Sequence, residues 1–542
     1  MGRSPELTSH KFTAMAIAAF SAMSILLITS IIFPNPFSDL AQQFFSPILK
    51  NSPPEQQPPQ DQSCISRTQK ASYQKKSPSP VPSPYLLSKL RDYERRHKNC
   101  EPFSEPFNRT LKLLTGNSTT NSTESDYRYV VFTLHVNGLG NRMLGLSSAF
   151  LYALLTDRVL LVDFGPDMAD IFCEPFKNST WLLPDGFPFR NQFYSPKFRE
   201  AHSFGTLLRD NSNFTQSVPP LPPPILHLFL SYEYNDYDKL FYRDENQEFL
   251  QGVPWLTLRS DQYFVPYLFL MPRFRAELER LFPDKETVFH HLGNYLFNPS
   301  NQAWGLITRF YDAYLARADE RIGLQVRVFN TKASPIPLVA KQLLKCTQSE
   351  GILPQLQVST NSSFSSVKVT NNTSSTKTKA VLIGSLYREF YEEMKYAYWT
   401  RASVDGGGES VGFHQASHEG SQNSESNSHN MKALADIYLL SLCDVLVTSR
   451  WSTFGYVAQA IGRVKPWILN VPNTNYSGDR LPERACRRAV SMEPCFHYPP
   501  SYDMKKKVVV DGEVGTGPPV VHCEDVSWGL KLVNGRQIER LE

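Results

Sequence analysis

Residues 136–155 read VNGLGNRMLGLSSAFLYALL, a glycine-rich turn that runs straight into an apolar helix. Before it, YRYVVFTLHV (127–136) is rich in β-branched and aromatic residues and reads as a strand. After it, RVLLVDF (158–164) reads as another. The turn and a helix over Asn141–Leu155 complete a β-loop-α-β unit. A second alternating series begins at RIGLQVRVF (321–329). It continues through a helix at PLVAKQLLKC (337–346), the strand KAVLIGSL (379–386) and the helix EFYEEMKYAYW (389–399). A short strand near VGFHQ (411–415), the helix MKALADIYLLSL (431–442), the strand DVLVTSR (444–450), the helix STFGYVAQAIG (452–462) and KPWILN (465–470) complete it. Apolar strands alternating with helices call for parallel sheets covered on both faces. Two such series predict an α/β protein of two facing Rossmann-like domains, with ligand in the cleft at the strands' carboxyl ends.

The rest of the chain sets the compartment. Phe12–Phe33 carries no charge over 22 residues, long enough to span a bilayer, with Arg3 and Lys11 before it. The expectation is an uncleaved anchor with the bulk of the chain lumenal. Residues 34–84 hold eleven prolines and read as an extended stem. The expected organisation is a cytosolic tail over 1–11, a membrane helix over 12–33 and a stem over 34–90. A first Rossmann-like domain over 91–318, a second over 319–500 and a closing segment over 501–542 come after these. The helix YLLSKLRDYERRH opens the folded part. The Ser/Thr/Asn-rich 359–379 and the polar 420–430 read as surface loops. Sequons at Asn108, Asn117, Asn121, Asn178, Asn213, Asn361, Asn371, Asn372 and Asn475 suit a lumenal body. So do eight cysteines without any C-x-x-C pair, read as disulfides except Cys443, which sits in an apolar run. A net charge of +4 over 542 residues, without a basic stripe, argues against a nucleic-acid partner.

Three stretches point to an anionic ligand. Gly138 and Gly140 permit a tight turn ahead of a helix whose free N–H groups attract anions. The spacing is not that of a P-loop, and Met143 replaces the third glycine of a dinucleotide fingerprint. Asn141 and Arg142 come next, and an arginine at a helix start opposes the dipole unless an anion draws it there. Arg327 interrupts an apolar strand, either as an exposed or internally paired charge or as a guanidinium clamp on phosphate. Ser452 and Thr453 can cap a helix at a strand's carboxyl end.

Taken with VPWLTLRSDQYFVPYL, TVFHHLGNYLF, SMEPCFHYPP and HCEDVSWGLKL, these stretches resemble the plant cell-wall fucosyltransferases of the xyloglucan type, glycosyltransferase family 37. The resemblance runs from about residue 98 to the end. It implies a GT-B-like fold and a type II Golgi membrane protein with its catalytic part in the lumen. It implies transfer of fucose from GDP-β-L-fucose, with inversion and without metal or other cofactor, to a galactosyl residue in α-1,2 linkage. Xyloglucan or arabinogalactan would be the acceptor. Arg327 then falls on the diphosphate, Asp261 beside the acceptor hydroxyl, and Ser452, Thr453 and Phe454 on the nucleotide. Gly138, Gly140, Asn141 and Arg142 line the cleft near the donor. Asp261 stands as base or as acceptor-orienting group, with Glu233, Asp236, His290 and His291 behind it. The chain departs from the family pattern at Tyr242-Arg243 and at Met504, where the resemblance implies one disulfide fewer, and around 414–419. Homodimerisation or a Golgi glycosyltransferase assembly stays open. A catalytically silent glycan-binding protein on the same fold is the competing reading.

Overall fold

The computed structural model describes residues 64–73, 80–115, 127–134, 136–210, 221–357, 377–404, 409–477, 481–503, 508–509 and 519–535. All lie in one compact unit, Gln60–Glu542. Its architecture is α/β, built on two sheets. In the first, β1 (Tyr129–Thr133), β2 (Val159–Asp163), β3 (Ile225–Phe229) and β4 (Trp255–Arg259) are all parallel, in the order β2-β1-β4-β3. The second joins β5 (Glu320–Gln325), β6 (Lys377–Gly384), β7 (Glu409–His414), β8 (Val445–Ser449), β9 (Trp467–Leu469) and β10 (Cys486–Arg488). Its order is β10-β9-β8-β5-β6-β7, with only β10 antiparallel.

The two-residue period of the strands explains the layers. Val130, Phe132, Leu160, Val162, Leu256 and Leu258 enter the large central core. Tyr129, Val131, Val159, Leu161 and Trp255 face a second cluster on the opposite side. There Tyr129 and Trp255 stack with centroids 4.3 Å apart. In the other sheet Ala380 and Leu382 join the central core, while Ile322, Leu324, Val381 and Ile383 point to the outer one. Both faces are covered, as parallel sheets require.

Two helices open the folded body and three more surround the opening between the sheets. α1 is Ile65–Tyr73, α2 Pro84–Asn99, α3 Leu139–Leu155, α4 Asn427–Ser441 and α5 Thr453–Gly462. α3 is buried almost all round, as its nearly uninterrupted apolar sequence demands. It packs on β1 and β2 and, across the molecule, on α5. α2 opens with Ser83, whose hydroxyl accepts from the N–H of Leu86 at 3.0 Å, and with Pro84 in its first turn.

The stem expected over 34–90 runs too far at its carboxyl end. Cys64 is bonded to Cys173. Lys70 Nζ in α1 donates to Asn298 Oδ1 at 2.9 Å, and Gln69 Oε1 accepts from Trp304 Nε1 at 3.0 Å. α1 and the start of α2 therefore belong to the folded body, because a disulfide and buried polar contacts hold α1 there. Two more disulfides, Cys346–Cys486 and Cys495–Cys523, are present, and Cys100 and Cys443 are buried outside these three bonds. Asn108, Asn178 and Asn475 are exposed, while the other six sequons lie outside the described residues. So does the apolar run 12–33; among the described residues no helix is long and apolar enough to cross a membrane. The loop expected over 420–430 is half helix: Ser426 caps α4 by accepting from the N–H of His429.

Candidate active site

A cavity of about 650 Å³ opens between the carboxyl ends of the two sheets. Its floor is made where the starts of α3 and α5 meet. Gly138 caps α3 without a side chain, and Ser452 caps α5 by accepting from the N–H of Gly455. A Cβ on Gly140 would lie 2.8 Å from the Phe454 nitrogen and the Thr453 carbonyl carbon, so only glycine lets the two helix starts approach. Thr453 Oγ1 donates to Asn141 Oδ1 at 2.8 Å and ties the starts together. Two positive helix ends therefore face one opening, an arrangement suited to an anion with several oxygens.

Arg327 stands over this floor, two residues beyond the end of β5. Its backbone N–H donates to Ser449 Oγ at 2.9 Å, its guanidinium donates to Gln422 Oε1 at 2.9 Å, and it lies over the Phe329 ring. Among the described residues no carboxylate pairs with it. Burial lowers its pKa, the mark of a cation without a counter-charge. The expected alternation holds past the strand: Val326 and Val328 are buried while Arg327 turns to the cavity.

Arg142 contradicts its expected role at the donor. It is 4% exposed, pairs with Asp167, and donates to the Ser424 carbonyl at 3.3 Å. It is not part of the cavity lining. A carboxylate brought from the next loop, not a ligand, offsets the helix dipole. Asp261, by contrast, lines the cavity although 2% exposed. Its Oδ2 accepts from Asn137 Nδ2 at 2.6 Å, and its Oδ1 accepts from the Tyr232 N–H at 3.1 Å and Gln262 Nε2 at 2.9 Å. Donors therefore meet both of its oxygens.

The other carboxylates and histidines raised by the sequence have structural partners. Asp236 pairs with Lys239, and Asp238 accepts from Ser203 and from the Asn235 N–H. Glu233 accepts from the Tyr232 hydroxyl at 2.6 Å. His290 meets the Ile461 carbonyl at 2.9 Å, and burial lowers its pKa to about 4. Burial lowers His291 as well.

Several cavity residues carried no signal in the sequence. Gln422 and Ser424 come from the supposed surface loop. On α4, burial raises Asp436 to about 7 although Ser417 Oγ donates to it at 2.5 Å. Lys432 is paired with Glu419 at 2.6 Å. Trp451 occupies the left-handed region at φ 60°, costly for so large a side chain. Its N–H is held by Asp525 Oδ2 at 3.0 Å and its indole N–H by the Asp525 carbonyl at 2.8 Å. His497 and Tyr498 complete the wall.

Comparison with known proteins gives the family. The family model for xyloglucan fucosyltransferase matches residues 22–505. The chain belongs to the xyloglucan fucosyltransferase family. A galactoside 2-alpha-L-fucosyltransferase of Pisum sativum is 49% identical over 477 residues, covering 88% of this chain and 80% of its own. One of the same description from Arabidopsis thaliana is 48% identical over 474 residues, covering 87% and 81%. A solved structure of an Arabidopsis thaliana FUT1 mutant in complex with GDP superposes with a TM-score of 0.75 at 47% identity, covering 87% of this chain and 97% of that one. The present chain is thus an enzyme of the fucosyltransferase class with the corresponding α/β glycosyltransferase fold.

Proposed function

We propose that this fucosyltransferase moves L-fucose from GDP-fucose, with inversion, to a galactosyl residue in α-1,2 linkage on a cell-wall glycan such as xyloglucan or an arabinogalactan. The observation that carries the donor half is the convergence of Arg327 with the two helix starts at Gly138 and Ser452 in one cavity. A guanidinium that no described carboxylate pairs with and two helix starts with outward N–H groups complement a diphosphate, whose charge grows as the glycosidic bond breaks. In this reading Arg327 and the helix ends take the part that a divalent ion plays in metal-dependent transferases. The names of the Pisum and Arabidopsis relatives support a galactoside acceptor, and Asp261 lies on the cavity wall where that acceptor would meet the donor. The apolar segment Phe12–Phe33, with the proline-rich stretch after it, supports a type II anchor in the Golgi membrane with the body in the lumen.

The test is transfer of radiolabelled fucose to a panel of galactosylated acceptors, preceded by GDP calorimetry. Arg327→Lys is expected to lose about 10²–10³-fold in kcat with the fold intact, since a point charge cannot copy the guanidinium fork. Near-normal turnover would remove the clamp. Activity is expected to persist in excess EDTA; loss restored by added Mn²⁺ or Mg²⁺ would overturn the metal-free reading.

A further inference from the structure

The acceptor hydroxyl must lose a proton, and Asp261 is an awkward group to receive it. Three N–H donors already occupy its two oxygens. The same cavity holds a second group with unused basicity. His497 lines it beside Tyr498 and Trp451, in a short irregular segment that precedes no helix. Its Nε2 lies 3.0 Å from the Tyr456 hydroxyl. That hydroxyl lies 2.5 Å from Asp525 Oδ2, which also accepts the Trp451 N–H. Asp525 is 1% exposed, and no described residue donates to its Oδ1.

Counting protons settles the tautomer. Tyr456 has one hydroxyl hydrogen, and the carboxylate takes it. The contact between Tyr456 and His497 can then be a hydrogen bond only if Nε2–H donates to the tyrosine oxygen. Nδ1 is left with its lone pair, and no described residue donates to it. A buried carboxylate that fixes an imidazole tautomer and leaves the other nitrogen basic is the logic of a hydrolase triad, here with a tyrosine between.

We propose that His497 is the catalytic base, held in the required tautomer by Tyr456 and Asp525, and that Asp261 is the fixed charge that stabilises its protonated form. This rests on the fucosyltransferase reading and assigns one of its steps. The acceptor oxygen forms its bond to the anomeric carbon of fucose as the bond from that carbon to the β-phosphate oxygen breaks. The electron pair of the broken bond leaves on GDP, and the acceptor proton passes to Nδ1. The imidazolium gives it to solvent once the products have left. Ionisable groups facing His497 are Asp261, Asp525, Tyr456 and Tyr498. Burial lowers its pKa while Asp525 and Asp261 raise it, so the resting ring is neutral and able to accept.

The test uses the full-length protein. His497→Gln keeps an N–H for Tyr456 and lacks a basic nitrogen. It is expected to lose 10²–10⁴-fold in kcat, the range of general-base catalysis, with GDP affinity and acceptor KM within threefold of wild type. The acid limb of the wild-type kcat–pH profile should vanish. Turnover within threefold of wild type, a retained acid limb, or joint loss of GDP binding and activity would each overturn the assignment. If His497→Gln does not fold, Tyr456→Phe serves: kcat should fall at least tenfold with a shifted acid limb, and an unchanged profile overturns the proposal. The wild-type transfer assay separates the two readings. An active wild type with an active His497→Gln sinks the base alone, whereas a wild type that transfers no fucose sinks both.

Discussion

Arg327 and Arg142 carry the same guanidinium and meet opposite fates. Arg327 interrupts an apolar strand and Arg142 opposes a helix dipole, and each therefore suggested an anionic ligand. Asp167 neutralises Arg142, while among the described residues the Arg327 guanidinium meets the Gln422 amide and an aromatic face but no carboxylate. The difference lies in residues far away in the chain, so no local pattern could foretell it. Glu493 makes the same point for stability. It is fully buried, accepts from the Tyr263 hydroxyl at 2.6 Å and from the Phe289 N–H at 2.9 Å, and burial raises its pKa from 4.5 to about 8. A carboxyl raised on folding binds its proton more tightly in the native state. Its contribution is fully present below pH 4.5 and is lost as pH rises towards about 8. Melting temperature should therefore decline across that window, and Glu493→Gln should flatten the decline. An equal slope in the variant would assign the effect to other groups.

At the level of elements, the paired starts of α3 and α5 are the feature on which the cavity depends. The glycine turn, the apolar helix and the Ser-Thr cap were all legible as separate signals. Their meeting was not, because the close approach at Gly140 is a contact over more than 300 residues. Gly140→Ala places a methyl against the backbone of Thr453 and Phe454, which cannot yield as a side chain tip can. Overpacking of this kind costs about 1–3 kcal/mol. Urea denaturation should show that loss, and calorimetry should show weaker GDP binding as the two helix ends separate. Strands β3 and β4 escaped the sequence reading for a different reason. Each is a five-residue stretch close to prolines, its apolar residues interrupted by His227 in PPPILHLF and by Thr257 and Arg259 in VPWLTLR, and so short a stretch cannot be told from a buried loop or helix piece.

Over the whole molecule, the central core runs without a break from the helices on the first sheet to those on the second, since α3, α4 and α5 share it. The Cys64–Cys173 bridge closes a separation of 109 residues and holds α1 to this body. Removing a native disulfide costs about 2–5 kcal/mol. Here the loss should fall first on α1. Cys64→Ser is expected to lower the melting temperature and to raise amide exchange over Ile65–Tyr73 while leaving GDP affinity unchanged. Uniform exchange with unchanged stability would mean that α1 docks without the bridge.

Taken alone, the sequence determined what depends on near neighbours in the chain. It set the alternation of apolar strands and helices, hence an α/β fold with parallel sheets, the glycine turn before a buried helix, and the outward turn of Arg327. Those are consequences of helix and strand periods, which repeat within a few residues. Only the tertiary structure decided which charges are neutralised. It also made Gln422 and Ser424 part of a cavity wall and joined Asp525, Tyr456 and His497 in one hydrogen-bonded line. Each of these is a meeting of groups remote in sequence, and their pairing is set by how the layers pack, information that no local window of residues contains.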